Sequence, residues 1–265
     1  LVTMDSATRP VFHFQSPDGV THTGWRVADP DAYIAGFAEV PAAYVADGHH
    51  RAASAARAAR EIASEHARSA VDGDAESDWF LSVLFPASQL SILPYNRIVT
   101  TRGQLSGPDA LKTLAQLGTI HEGTDPAIQA AGSFGIYLDG QWIRLELDHD
   151  SIDWTDPIAS LDVSLLHDRI LEPLLGIQDE RTDPNIEFVG GIRGCDELAR
   201  RVDAHGDAIA FSLNATTIDQ LLAVADAGMC MPPKSTWFEP KLRSGLFVHS
   251  LDSTSISTHV MSQGT

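Results

Sequence analysis

Apolar and polar positions along the chain follow two periods. Val11 to Gln15 and Val20 to Val27 alternate around Ser16-Pro17-Asp18-Gly19, and Ser133 to Leu138 and Gln141 to Leu147 alternate around Asp139-Gly140. Alternation broken by such turn residues predicts two β-hairpins. Ala42 to Ala46, Trp79 to Phe85, Ile186 to Val189 and Asp207 to Leu213 are short, nearly continuous apolar runs, and Gly245 to Val248 is a last one. Runs of this length predict strands buried on both faces. Gln89 to Thr101 is interrupted by Pro94, which predicts an edge or a bend, with Asn96 and Arg97 turned toward a cleft. An equal alternative is that Arg97 only pairs with surface carboxylates.

The 3.6-residue period marks the helices. Pro30 to Val40 follows Asp29 as a cap, the alanine-rich run continues from Arg51 to Ala70, and Pro108 to Leu117 is short. Leu161 to Leu175 repeats apolar residues at Val163, Leu165, Leu166, Ile170, Leu171 and Leu174, with His167 as a surface or core histidine. Asp196 to Val202 and Thr217 to Ala227, the latter capped by Thr216, complete the set. Val71 to Asp78 reads as an acidic loop, and Asp252 to Thr265 as a frayed tail. Asp148 to Pro157 is acidic and poor in structure signals, and reads as a linker between lobes 1–150 and 151–265. The class these elements predict is α+β: a mixed sheet with flanking helices, in two lobes, around a strand-turn-helix core.

A formal charge of −18 over 265 residues argues against a nucleic-acid partner, because an acidic surface repels the phosphate backbone. Two cysteines, Cys195 and Cys230, offer neither a disulfide framework nor a metal spacing, which fits a reducing cytoplasm. No apolar stretch approaches the ~20 residues of a membrane span, so no membrane partner is expected.

Two segments carry candidate chemistry. The first is Tyr44-Val45-Ala46-Asp47-Gly48-His49-His50-Arg51. A helix beginning after Gly48 would point unpaired N–H groups and the positive end of its dipole at an anion. His50 and Arg51 would close on that anion, and the plain alternative is an ordinary capped turn with a solvated first turn of helix. The second segment is Met231-Pro232-Pro233-Lys234-Ser235-Thr236-Trp237-Phe238-Glu239-Pro240-Lys241-Leu242-Arg243-Ser244-Gly245. Only three of the 18 basic residues are lysines, and two of them, Lys234 and Lys241, fall in this proline-stiffened loop. Compact ammonium groups beside Ser and Thr hydroxyls suit phosphate oxygens. The alternative is a rigid loop with a solvated basic edge. A weaker glycine turn, Gly190-Gly191-Ile192-Arg193-Gly194, repeats the arrangement with Arg193.

These two segments, Ile92-Leu93-Pro94-Tyr95-Asn96-Arg97 and Phe188-Val189-Gly190-Gly191-Ile192-Arg193-Gly194 resemble the bacterial family called domain of unknown function 1015 over nearly the whole chain. The Asp-Gly-His-His-Arg turn is also similar to the nucleotide-contacting turn of the ParB and sulfiredoxin superfamily, which includes free-serine kinases. The resemblance implies a small-molecule kinase that phosphorylates free L-serine with ATP or ADP and Mg²⁺. Asp47 or His49 would face the attacking hydroxyl. Gly48, His50, Arg51, Asn96, Arg97, Arg193, Lys234, Ser235 and Thr236 would hold phosphates or nucleotide. Family members usually carry a sizeable segment before the first hairpin, with an acidic residue upstream of the glycine turn as base. This chain begins at Leu1 without it, so either that base is missing, leaving an inactive fragment, or Asp47 takes its role. A nucleotide-binding switch without turnover, as in ParB-like proteins, needs the same turn and no base. A metal hydrolase using Asp47, His49 and His50 ranks last, since adjacent turn histidines rarely reach one metal and no further His or Cys cluster completes a site. A homodimer is compatible with the sequence.

Overall fold

The computed structural model describes residues 2–66, 73, 75–105, 107–128 and 130–251. The tail expected over 252–265, the end of the alanine-rich run at 67–70 and part of the acidic loop, at 71, 72 and 74, lie outside the described residues. The chain forms two compact units, Leu1–Val45 and Ala46–Thr265. In the first unit, α1 (Val2–Asp5) precedes the expected hairpin of β1 (Phe12–Gln15) and β2 (Thr21–Gly24), paired antiparallel with Gln15 opposite Thr21. The turn closes as its residues dictate, with the Ser16 N–H donating to the Val20 carbonyl at 2.8 Å. Helix α2 (Asp31–Ala38) follows, and the Asp29 carboxylate accepts from the Asp31 N–H at 3.1 Å.

The second unit is built on one six-stranded sheet in the order β5-β7-β6-β9-β4-β8, and every pair is antiparallel. Its strands are β4 (Tyr95–Thr100), β5 (Gly118–Glu122), β6 (Ser133–Leu138), β7 (Gln141–Leu147), β8 (Ile186–Gly190) and β9 (Ala208–Leu213). β6 and β7 form the predicted hairpin, with Asp139 and Gly140 both at positive φ, 49° and 77°. Outside the sheet, β3 (Ser91–Leu93) pairs with β10 (Trp237–Glu239).

Both faces of the sheet are covered. Val99, Phe134, Ile136, Leu145, Ile209 and Phe211 pack with residues of α4 (Pro108–Leu114), the helix Asp162–Leu175 and α8 (Ile218–Asp226). Ile98, Tyr137, Val189 and Ala210 pack on the other face under Leu198 and Val202 of α7 (Gly194–His205). Apolar residues at consecutive positions of β6 and β9 serve both faces, which is why these runs lack alternation. Helix 162–175 runs as α5 (Asp162–Leu166), a π-turn (His167–Leu171) and α6 (Glu172–Leu175).

Several expectations are corrected. The sheet draws on both sides of residue 150: β4 to β7 come from before it, β8 and β9 from after. The boundary at 150 therefore falls inside a shared core, and the compact units part at Val45. Asp148–Pro157 is a set of local turns, the Asp148 carboxylate accepting from the Asp150 N–H at 3.2 Å. Ala42–Ala46 and Trp79–Phe85 are not strands, and Trp79, Phe80, Leu81 and Leu84 are all more than half exposed. An apolar run makes a strand only where a neighbouring strand completes its ladder, and among the described residues none does here. The last strand is Trp237–Glu239, not Gly245–Val248. Thr217, not Thr216, caps α8, in a reciprocal capping box with Gln220, while Thr216 donates to the Ser235 carbonyl at 3.1 Å.

Asp162 opens the long helix from a buried position and accepts from the Gly132 N–H at 2.7 Å. Burial raises its carboxyl to about 6, against the opposing hydrogen bonds from Gly132 and Asn214. A pKa raised on folding adds stability below the unfolded value near 4, and that stability is lost as pH rises through the folded value near 6. Asp162→Asn removes this loss. Relative to the parent chain, the variant should gain roughly 2–3 kcal/mol between pH 4 and pH 7 in urea unfolding. A difference that does not change with pH would show that the carboxylate ionises without penalty.

Candidate functional site

Pro94 has no N–H to give a ladder, and the chain changes sheets there. β3 before it pairs with β10, placing Trp237 opposite Leu93, while β4 after it enters the large sheet with Tyr95 opposite Gly190. The lysine loop is thereby tied to the end of β4. A Cβ on Gly190 would sit 2.5 Å from the Trp237 ring, so the glycine makes room for the indole. Trp237 meets Tyr95 edge-on at 5.3 Å between centroids, and Tyr95 meets Phe188 at 6.4 Å. Two ammonium groups cover these rings. Lys234 Nζ lies 5.4 Å from the Tyr95 centroid and Lys241 Nζ 5.3 Å from that of Trp237. Lys234 holds a left-handed backbone, φ 53°, uncommon for a residue with a side chain.

The Asp47 turn meets this loop. Asp47 Oδ2 is 3.5 Å from Lys241 Nζ, and Asp47 Oδ1 accepts from the Gly48 N–H at 2.8 Å. Gly48, at φ 85°, begins helix α3 (His49–Glu65), and no side chain caps its first N–H groups. The Arg51 guanidinium folds back over Gly48, where a Cβ would stand 3.1 Å from its Nη2. His49 and His50 are exposed on the first turn. Burial first, and then the Asp47 charge, raise the Tyr95 phenol above its ordinary value, so it remains an O–H donor at neutral pH. Asp47, Gly48, Arg51, Tyr95, Lys234, Trp237 and Lys241 thus form one chain of contacts. It combines lysine and arginine cations, an uncapped helix start, a carboxylate and aromatic faces, which is chemistry for a polyanion attached to a flat ring.

Other expected site residues have different surroundings. Asn96 is buried and accepts from the Leu213 N–H at 3.1 Å, and Arg97 is fully buried; neither turns toward an open cleft. β4 lies between β9 and β8, so both of its edges are paired, and its two faces pack into the two cores through Val99 and Ile98. Arg97 Nε donates to Glu180 at 3.2 Å, its Nη1 donates to the Tyr95 carbonyl, and its Cζ lies 5.3 Å from the Phe188 centroid. Arg97 does pair with a carboxylate, but not one on the open surface, the Glu180 side chain being only 9% exposed. Ser235 is buried and donates to the Pro232 carbonyl at 2.6 Å, bracing the loop from within. Thr236 is half-buried beside it. Arg193 is exposed at the start of α7, and among the described residues no contact joins it to the lysines. The sequence points to Lys241 as a loop cation but assigns no site role to Tyr95 or Trp237. Their signal was the pairing of aromatics with the chain's rare lysines.

The chain belongs to the family described as "Protein of unknown function (DUF1015)", whose model matches residues 2–164. No curated protein matches the sequence. Among solved structures, a point mutant of a free serine kinase in complex with ADP is 16% identical, covers 59% of this chain and 58% of its own, and superposes with a TM-score of 0.34. A second mutant of a free serine kinase, in complex with AMP, is 15% identical with the same coverages and a TM-score of 0.33. This chain thus spans less than two thirds of those proteins.

Proposed function

We propose that the second unit binds a nucleoside phosphate at the Asp47 turn and lysine loop and transfers a phosphoryl group to a small hydroxyl compound. The observation that supports this reading is the meeting of Asp47 with Lys241, at 3.5 Å, beside the Lys234–Tyr95 and Lys241–Trp237 contacts. Free L-serine is the first acceptor to test, following the family resemblance, and ATP or ADP the first donors.

Phosphoryl transfer asks a protein chiefly to position reactants and to stabilise charge on the transferred group. Lys234 and Lys241 would hold the phosphates, together with the N–H groups after Gly48 and the side chains of His50 and Arg51. The aromatic edges of Tyr95 and Trp237 would flank the base. Asp47 or His49 would take the acceptor's proton, a role typically contributing ~10²–10⁴-fold. Both are exposed, and Asp47 is already oriented by the Gly48 N–H. Both oxygens of Glu239, the carboxylate of the loop, are already engaged, by the Trp237 Nε1–H at 2.6 Å and the Lys241 N–H at 3.1 Å, so magnesium would enter bound to the donor phosphates, whose charge it would neutralise.

The test pairs calorimetry, using ATP, ADP and CTP, with mass-spectrometric detection of phosphoserine after incubation with L-serine. Nucleotide binding with product supports the kinase reading. Binding without product for any acceptor supports a nucleotide switch, and no nucleotide binding rejects both. Of Asp47→Asn and His49→Ala, the one that removes the base should reduce product formation at least tenfold. If both turn over like the parent chain, the base lies elsewhere.

A further inference from the structure

A second cluster lies on the long helix. The π-turn at His167–Leu171 ends with the Glu172 N–H donating to the His167 carbonyl, five residues back, just before Pro173, which has no N–H. In a regular α-helix residues five apart point about 140° away from each other. The wider turn brings them together: His167, Asp168 and Glu172 each place a ligand atom within 4.8 Å of the others. His167 and Asp168 also line a cavity of about 390 Å³, walled by Val163, Glu180, Arg181 and Pro233.

Two observations outside the trio set its chemistry. His167 Nδ1 is shut off from solvent without a well-directed hydrogen bond and lies 3.3 Å from Glu180 Oε1. Glu180 is itself 9% exposed and held through its other oxygen by the fully buried Arg97. A buried carboxylate behind one imidazole nitrogen is the usual outer support of a metal-binding histidine, leaving the second nitrogen for the ion. Asp168 and Glu172 are exposed, and among the described residues no hydrogen bond or ion pair engages their carboxylates. Arg169, between them in sequence, turns away to the Ser151 carbonyl at 2.9 Å.

We propose that His167, Asp168 and Glu172 bind a divalent transition-metal ion of the zinc class. One imidazole and two carboxylates favour such an ion over calcium or magnesium, which prefer oxygen alone. This site is separate from the proposed nucleotide site and does not depend on it.

The experiment is calorimetric titration of the chelator-treated 265-residue protein with zinc chloride, without nucleotide. The parent chain should show one saturable site. Asp168→Asn and Glu172→Gln replace exposed groups, so the fold should persist, as checked by thermal unfolding without metal. Each should weaken zinc binding at least tenfold, and His167→Ala should abolish it. His13→Ala, a histidine of the first unit, serves as the control and should bind as the parent does. Absence of a saturable site in the parent overturns the proposal. So does parent-like affinity in Asp168→Asn and Glu172→Gln, or an equal loss in the His13→Ala control.

Discussion

Arg97→Ala should destabilise the second unit by about 3–5 kcal/mol, because it leaves the Glu180 carboxylate buried without its counter-charge. Arg97 is fully buried and Glu180 9% exposed. Burial pulls the guanidinium below its ordinary value, and Glu180 opposes that pull, so the buried cation depends on its carboxylate partner. The same change also removes a donor to the Tyr95 carbonyl and a cation from the face of Phe188. Against a typical total of roughly 5–15 kcal/mol, such a loss leaves the chain marginal at room temperature. The double variant Arg97→Met with Glu180→Leu separates charge from packing. Replacing a buried pair with apolar residues of similar volume is often neutral or stabilising, so the double variant should recover most of the loss. Urea unfolding of the two variants measures this. A single variant within about 1 kcal/mol of the parent would mean that Glu180 reaches water when its partner goes, and that the pair is not desolvated as a unit.

Lys234→Ala should lower phosphoryl transfer by about 10²–10³-fold, some 3–4 kcal/mol in the barrier, if its ammonium meets the transferred group. Its stability should stay near the parent's, because Lys234 is exposed and its visible contact is with the Tyr95 ring. Alanine keeps the strain at φ 53°, so the comparison isolates the charge. Lys241 provides the contrast. It stands over Trp237 and against Asp47, so Lys241→Ala should raise KM for the nucleotide more than it lowers kcat. Steady-state rates with the donor and acceptor identified by the binding and product assays read both. A Lys234→Ala enzyme with unchanged kcat would remove the loop from the chemical step.

Legibility in the sequence tracked how local each cause was. The turn at Asp139-Gly140 needs two residues at positive φ, and the tight hairpin followed from that pair together with the alternation on either side. The break at Pro94 was legible for the same reason, since a missing N–H acts on its own residue. What Pro94 separates was not: β3 belongs with β10, near the far end of the chain, and β4 with β8 and β9. Trp79 to Phe85 has strand composition, yet composition specifies no partner, and the segment stays outside every ladder among the described residues. His167, Asp168 and Glu172 carry no recognisable ligand spacing until a π-turn changes the helical period beneath them.

The amino-acid sequence by itself determined the α+β class, the two hairpins, the long helices, the family, and the two segments where phosphate chemistry would be sought. These depend on steric preferences, turn geometry and periodicity acting over a few residues. Tertiary structure alone decided that Arg97 is sealed in the core, that Asp47 reaches Lys241, and that Tyr95 and Trp237 join the lysines. Burial and through-space charge depend on which distant strands lie side by side, and that follows from the packing of the whole second unit.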